Sequence, residues 1–211
     1  MAPPLYSFYY VEMVGIAVFA ISGVLAVTRR GLDMFGALVL GIVTALGGGT
    51  LRDLILGVPP IWLADFNYVW AACVGALAAF WIGWVFRSGR DAVLYLDALG
   101  AALFAVAAVN KVLLLGYSAP VAVAMGVLTG IGGGLMRDVL AGRQTLLMSR
   151  DIYATPIFAG CVLLVALRSV APGASSRDLA AMALIFGLRA VAIHRHLQMP
   201  SWLTAQDGTQ T

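Results

Sequence analysis

The stretch Gly47-Gly48-Gly49-Thr50-Leu51-Arg52-Asp53 decides the fold of this chain, and its pattern returns as Gly132-Gly133-Gly134-Leu135-Met136-Arg137-Asp138. Glycine weakens the interior of a helix by roughly 1 kcal/mol per residue relative to alanine, so three in a row indicate a flexible or broken helix. Arginine and aspartate at membrane depth are costly unless they are paired or hydrated. An apolar chain that repeats both features is expected to build a polar feature inside the membrane.

The two copies belong to a longer internal repeat. At an offset of 85 residues, 19 of the 66 positions compared from Tyr10 onward are identical. The identities include the glycine triplets, the Arg-Asp pairs and the tyrosines Tyr68 and Tyr153, while Glu12 falls on Asp97 and so keeps a carboxylate. An apolar composition produces some chance identities, but not this set in one register. The chain is therefore predicted to be a duplication.

The composition places the chain in a membrane. Of its 211 residues, 62% are hydrophobic and 11% are charged, and the mean hydropathy is +0.95. A bilayer core about 30 Å thick is crossed by about 20 apolar residues in a helix, and long apolar runs exclude the alternating pattern of a membrane barrel. The predicted fold class is an all-α membrane protein with seven transmembrane helices, at about residues 8–28, 34–57, 67–86, 92–113, 117–140, 152–170 and 178–195.

These helices divide into two repeats and a remainder. Residues 8–86 are predicted to form the first three-helix repeat, residues 92–170 the second, residues 178–195 a seventh transmembrane helix and residues 200–211 a loose polar tail. Because each repeat has an odd number of spans, the second copy enters the membrane from the opposite side, and the repeats are inverted. The second and fifth helices are predicted to be kinked at their glycine triplets.

The positive charges predict the orientation in the membrane. Cytoplasmic loops are enriched in lysine and arginine, and only Lys111, Arg168 and Arg177 lie on the predicted side of the N-terminus. We therefore expect the N-terminus outside and the C-terminus in the cytoplasm. The arginines predicted on the cytoplasmic side are Arg29, Arg30, Arg87, Arg90, Arg143, Arg150 and Arg195.

No pattern in the sequence predicts an enzyme. There is no nucleophile–base constellation and no pair of histidine ligands, and the triplets are not followed by the Gly-Lys-Ser/Thr of a phosphate loop. Cys73 and Cys161 lie within apolar spans without metal or disulfide spacing, and we expect both to be small core residues. The net charge of +3 indicates membrane topology rather than a nucleic-acid partner. Neither a cofactor nor a stably bound metal is expected.

The glycine triplets have two interpretations. A helix opened at a triplet would expose carbonyl groups that attract cations, and Thr50 with Asp53 has the Ser/Thr-x-x-Asp/Glu spacing that starts a new half-helix. Thr44 and Thr129 lie about one turn before the triplets and could line the same cavity with hydroxyl groups. Alternatively, the glycines serve close helix packing. The candidate pore or kink residues are Gly47, Gly48, Gly49, Gly132, Gly133 and Gly134.

The charged residues also leave alternatives open. Adjacent residues on a helix point about 100° apart, so each arginine is expected to pair with a carboxylate elsewhere, Glu12 and Asp97 among them, and not with its neighbour. Such pairs are either purely structural or part of a pore. Lys111, the single lysine, lies near a predicted outer loop, where it either snorkels to the interface or acts in gating. The candidate pore-lining or gating residues are Thr44, Thr129, Arg52, Asp53, Arg137, Asp138 and Lys111.

Two three-span repeats with Gly-Gly-Gly-x-x-Arg-Asp in the second and fifth spans, followed by a lone seventh span, resemble the prokaryotic members of the TRIC family, the trimeric intracellular cation channels. The resemblance extends over about residues 8–195. It implies a K⁺ channel, with Na⁺ tolerated, and an hourglass pore through each subunit of a homotrimer in the plasma (inner) membrane of a prokaryote. It also implies that the kinked helices line the pore, with Arg52, Asp53, Arg137 and Asp138 along or beside it.

Bacterial proteins of this kind are also classed as glycine transporters, which gives the alternative function of a secondary carrier for a small amino acid such as glycine. Inverted repeats with broken helices suit alternating access as well as they suit a pore. A carrier needs groups for an amine and a carboxylate, which Asp53 or Asp138 and Arg52 or Arg137 could supply. In both cases the expected partners are the transported solute and membrane lipid.

Overall fold

The computed structural model describes residues 4–28, 31–86, 90–170 and 175–199. Within these ranges the chain is helical and forms no β-strand, which confirms the predicted all-helical fold class. A 3₁₀ turn at Leu146–Met148 follows the helix that carries the second glycine triplet. The helices are α1 (Pro4–Leu25), α2 (Met34–Ile55), the single turn α3 (Ile61–Ala64), α4 (Asn67–Phe86), α5 (Arg90–Leu114), α6 (Ala119–Leu140), α7 (Ala154–Val170) and α8 (Ser175–His194).

The two helices that carry the triplets end in the same way. Gly57 follows α2 with a φ of 68°, and Gly142 follows α6 with a φ of 56°, a left-handed conformation that glycine adopts without steric cost. The next backbone N–H then donates to the carbonyl of Asp53 at 3.0 Å or of Asp138 at 2.8 Å. These caps stop α2 and α6 directly after the Arg-Asp pairs, which are thereby held at the helix ends.

The helices pack as two similar groups. Helices α1, α2 and α4 contact one another, and α5, α6 and α7 do the same. The two groups meet through α2 against α6 and through α1 against α5. Helix α8 packs on α5 and α7, and among the described helices none takes the corresponding place on α1 and α4.

The helices differ in how well they suit a bilayer by length and composition. In the described part of the chain, α2, α6 and residues Asp91–Leu114 of α5 are long and apolar enough to cross a membrane. Shorter apolar stretches occupy Tyr9–Leu25, Asn67–Trp81 and Ala154–Val170. Large apolar side chains stay exposed on the outside of the bundle, where lipid would cover them. They include Phe35, Val39, Leu54, Trp70, Val74, Trp81, Phe158 and Val162.

Both glycine triplets lie inside uninterrupted helices. Helix α2 continues through residues 47–49 and α6 through residues 132–134. The Thr50 hydroxyl donates to the carbonyl of Leu46, one turn earlier, at 2.8 Å. The prediction of a half-helix that begins at Thr50 is therefore wrong, because this hydroxyl bonds backward along its own helix and caps no new one. A kink at either triplet stays a prediction.

The middle glycines bring α2 and α6 into backbone contact. A Cβ atom on Gly48 would lie 2.5 Å from the carbonyl oxygen of Thr129, and one on Gly133 would overlap the carbonyl oxygen of Thr44. Close packing, the alternative interpretation of the triplets, thus applies to both positions. Thr44 and Thr129 are buried in this crossing, and their hydroxyls donate to carbonyls one turn earlier in their own helices, at 2.7 and 2.6 Å.

Several predicted features fall outside the described residues. They are the polar tail 200–211 and, among the arginines used for the orientation, Arg29, Arg30 and Arg87. The orientation therefore rests on the sequence.

The substitutions Gly48→Ala and Gly49→Ala test the helix crossing as a matched pair. The methyl group at residue 48 meets the backbone of Thr129, whereas at residue 49 the nearest atom would be Arg52 Nη2 at 3.9 Å. Overpacking costs about 1–3 kcal/mol, while alanine favours a helix over glycine by roughly 1 kcal/mol. We expect Gly48→Ala to lower the melting temperature in detergent and Gly49→Ala to preserve or raise it. Equal melting temperatures would contradict the backbone contact.

Candidate functional site

Two groups of mostly buried polar residues flank the crossing of α2 and α6. Thr44 lies opposite Gly133 and Gly48 lies opposite Thr129, so the two helices are antiparallel, and Arg52 and Arg137 lie on opposite sides of the crossing. The first polar cluster consists of Glu12, Arg52, Asp53, Tyr68 and Lys111. The second polar cluster consists of Ser22, Asp97, Arg137, Asp138, Tyr153 and Arg189.

In the first polar cluster, Asp53 is fully buried and is bonded to two cations. Arg52 Nε donates to Asp53 Oδ1 at 2.8 Å. Lys111 Nζ donates to both carboxylate oxygens, at 2.9 and 3.0 Å, and the lysine side chain is 25% exposed. Glu12 instead accepts a hydrogen bond from the Tyr68 hydroxyl at 3.0 Å. Lys111 is thus the partly accessible member that covers a buried carboxylate.

These contacts bear on two expectations from the sequence. Arg52 bonds its neighbour Asp53, and Arg137 Nε bonds its neighbour Asp138 at 2.9 Å, so the prediction that adjacent residues would not pair is wrong. The arginine side chain is long enough to turn back along the helix end and reach the neighbouring carboxylate. Lys111 binds Asp53, an ion pair that the sequence did not predict; snorkelling and gating both stay predictions for this residue.

A small cavity borders the first polar cluster. Its volume is about 20 Å³, which is enough for about one water molecule. The single-turn helix α3 covers it, and Trp62 Nε1 donates to the Thr50 hydroxyl at 3.0 Å. Of the six triplet glycines, Gly49 lines this cavity. The other polar lining residues are Glu12, Thr50, Arg52, Trp62 and Tyr68.

The second polar cluster joins three helices through one arginine. Arg137 Nη1 on α6 donates to Asp97 Oδ1 on α5 at 2.8 Å and to the Ser22 hydroxyl on α1 at 2.7 Å. The other oxygen of Asp138 accepts the backbone N–H of Leu146 at 3.2 Å. Asp97 was among the carboxylates expected to pair with an arginine of the motif, and the structure confirms that contact.

Helix α8 adds a second arginine to this cluster. Arg189 is 1% exposed, and its Nη1 donates to the carbonyl of Ile152 at 3.0 Å. Its Nη2 lies 3.8 Å from Asp97 Oδ2, and its guanidinium lies over the ring of Tyr153, 4.6 Å from the centroid. The sequence reasoning missed Ser22 and Arg189, although an arginine inside the predicted span 178–195 is itself a signal for an intramembrane site.

In each cluster the formal charges of the side chains sum to zero. In the first, Glu12 and Asp53 oppose Arg52 and Lys111, and in the second two carboxylates oppose Arg137 and Arg189. Removing one partner of a buried ion pair leaves an uncompensated charge, which is strongly unfavourable. A cluster that releases one of its cations would therefore become a site for another cation, such as a small ion from solution.

A double-mutant cycle of Asp53→Asn and Lys111→Met tests the pairing in the first cluster. Asp53→Asn removes the partner of Lys111, and Lys111→Met leaves Asp53 with Arg52 alone. Both single changes lose the same contact, so the double variant should be more stable than the sum of the two losses predicts. Contacting residues show coupling energies of about 0.5–3 kcal/mol in the free energy of unfolding. The control cycle combines Lys111→Met with Asp33→Asn, since Asp33 caps the opposite end of α2. Additivity in both cycles would contradict the ion pair.

Comparisons of the sequence identify relatives along most of the chain. It matches the model of a protein family described as glycine transporter, once over residues 9–84 and again over residues 94–169. It is 37% identical over 203 residues to the UPF0126 inner membrane protein YadS of Escherichia coli K12. The aligned region covers 95% of this chain and 98% of that protein. That name gives a membrane location and no activity.

Solved structures share the fold. A TRIC trimeric intracellular cation channel orthologue from Rhodobacter sphaeroides is 34% identical with a TM-score of 0.87, covering 90% of this chain and 99% of that chain. A prokaryotic TRIC channel solved in 0.5 M KCl is 25% identical with a TM-score of 0.83, covering 92% of this chain and 100% of the other. By its sequence matches and its fold, this membrane protein belongs to the family described as glycine transporter and to the TRIC family.

Proposed function

We propose that this protein is a channel for monovalent cations, chiefly K⁺ with Na⁺ tolerated. The observation that carries the proposal is the pair of buried, charge-balanced clusters on opposite sides of one helix crossing. Well-packed apolar residues would stabilise the fold as well as or better than buried ion pairs, so charges at this depth favour a role in ion movement. The solved relatives, which are described as cation channels, support the same function.

The proposed channel has seven transmembrane helices, in two inverted repeats at 8–86 and 92–170 and a seventh helix at 178–195. The two family matches begin 85 residues apart, at 94 and 9, which is the offset of the internal repeat. The mirrored contacts among α1, α2 and α4 and among α5, α6 and α7 also support a duplication. The homotrimer, with an hourglass pore in each subunit, is proposed from the trimeric relative.

We place the N-terminus outside and the C-terminus in the cytoplasm of a prokaryotic cell. The arginine distribution of the sequence supports this orientation. The inner-membrane relative supports the location.

The conformation described here corresponds to a closed pore. The first cavity has room for about one water, and the backbones of α2 and α6 touch at Gly48 and Gly133. Opening would bend or separate these helices at their triplets and would move Lys111 away from Asp53. The two carboxylates of Glu12 and Asp53 would then outnumber Arg52 in the first cluster, and this net negative charge would attract a cation.

The second candidate function is a carrier for a small amino acid such as glycine. The description of the matched family favours it, and so does the closed crossing at the middle of the bundle, because alternating access requires a barrier there. In this mechanism Arg52 or Arg137 would bind the carboxylate of the solute and Asp53 or Asp138 its amine. Each of these groups would first have to leave its present partner.

Recordings from the purified full-length chain in planar bilayers with asymmetric KCl separate the two functions. A channel gives discrete current steps whose reversal potential follows K⁺. A carrier gives no such steps, and the same preparation in liposomes takes up glycine in a saturable manner. That second pair of results would overturn the channel proposal.

The substitution Lys111→Gln tests the proposed uncovering of Asp53, with Lys111→Arg as the matched control. Glutamine cannot neutralise the buried carboxylate, so we expect a several-fold higher open probability for K⁺ in the same recordings. Lys111→Arg keeps the positive charge, so its open probability should stay close to that of the unsubstituted chain. Equal open probabilities for both variants would argue against a gating role for this lysine.

A further inference from the structure

The two halves of the protein differ at equivalent glycines. At Gly49, a Cβ atom would find only Arg52 Nη2, at 3.9 Å, and the position lines the first cavity. At Gly134, which is Gly49 shifted by 85 residues, a Cβ atom would overlap Asp97 Oδ1 and lie 2.8 Å from the Tyr153 hydroxyl. The space that is open beside the first triplet is therefore occupied beside the second.

Helix α8 adds contacts to the second cluster. Arg189 lies over the ring of Tyr153 and close to Asp97, and in the described structure no helix takes the place of α8 beside the first cluster. There the equivalent tyrosine, Tyr68, donates to Glu12 at 3.0 Å. The Tyr153 hydroxyl makes no such bond, and the carboxylate of Asp97 faces two arginines.

Arg189 is incompletely bonded in this position. Its guanidinium makes one hydrogen bond, to Ile152, and Nε and Nη2 have no hydrogen-bond partner. Asp97 Oδ2 and the Tyr153 hydroxyl are likewise buried and make no hydrogen bond to protein atoms, although Asp97 Oδ2 lies 3.8 Å from Arg189 Nη2. Water that reached Arg189 would satisfy all four atoms.

A larger cavity borders Arg189. Its volume is about 210 Å³, enough for several water molecules at about 30 Å³ each. Arg189 is part of its wall, while Asp97 and Tyr153 do not line it. Of the residues in the second polar cluster, Arg189 is the one that borders this cavity. The other polar or charged lining residues are Asp91, Asp151, His196 and Gln198.

We propose that Arg189 is a gate residue, which seals the second polar cluster from this cavity and opens a wet path to Asp97 when it moves. The inference rests on the proposed channel function, because it assigns a second constriction to that pore. In the open position Arg189 would extend into the cavity, where water satisfies its free donors. Water would then enter beside Asp97, Tyr153 and Arg137.

The seal is tested first without any measurement of transport. Ser22 is fully buried and bonded to Arg137, so Ser22→Cys reports whether water reaches the second cluster. The background replaces Cys73 and Cys161 by alanine, and the reagent is 2-aminoethyl methanethiosulfonate on the full chain in detergent. We expect Arg189→Ala to raise the modification rate of the cysteine at residue 22 at least ten-fold.

The control is Arg195→Ala, which removes an exposed arginine just beyond the end of the same helix. If Arg189→Ala does not fold, Arg189→Lys replaces it, because lysine keeps the charge but cannot cover the Tyr153 ring with a planar group. For Arg189→Lys we expect a smaller rise in the modification rate of the cysteine at residue 22. Modification at the rate of the Arg195→Ala control, in whichever of the two variants folds, would overturn the proposal.

Bilayer recordings of the same variants separate this proposal from the channel function. Faster modification with a raised K⁺ open probability in Arg189→Ala supports both. Faster modification without current in any variant supports the seal and rejects the channel. Unchanged modification with normal current rejects the gate and keeps the channel.

Discussion

The backbone contact between α2 and α6 is the constraint on which the rest of the structure depends. Gly48 and Gly133 leave no room for a Cβ atom between the helices, so the two antiparallel segments cross closer than other side chains would allow. The Arg-Asp pairs follow the crossing by about one turn in each helix. One pair therefore lies on each side of it, inside the bundle, where every charge must find a partner.

The charges are paired in the same way in both clusters. In both helices the arginine bonds the adjacent aspartate through Nε, and a glycine cap ends the helix just beyond. The motif is thus a neutral unit fixed to its own helix. Each cluster then takes one further cation from a different element, Lys111 from α5 and Arg189 from α8. In the proposed channel this outside cation moves, and the motif stays on its own helix.

The sequence predicted the helices better than their contacts. Long apolar runs and the glycines after each motif place the helices close to where they occur, because both signals are local. The partners of Asp53 and Arg137 depend on which helices meet, and that is a property of the packed bundle. The prediction of a half-helix at Thr50 was wrong for a related reason. A hydroxyl that bonds backward along its own helix has the same sequence spacing as one that caps the start of a new helix.

The additional helix makes two similar halves unequal. A duplication alone would produce two equivalent clusters, but α8 packs only on α5 and α7 and brings a nearly fully buried arginine to the second. Lys111 is 25% exposed in the first, so water can replace its bonds as it leaves Asp53. Arg189 borders the second cavity but is only 1% exposed. If Lys111 and Arg189 both gate one path, Lys111 should leave Asp53 readily. Arg189 should move only when water from the adjoining cavity reaches it.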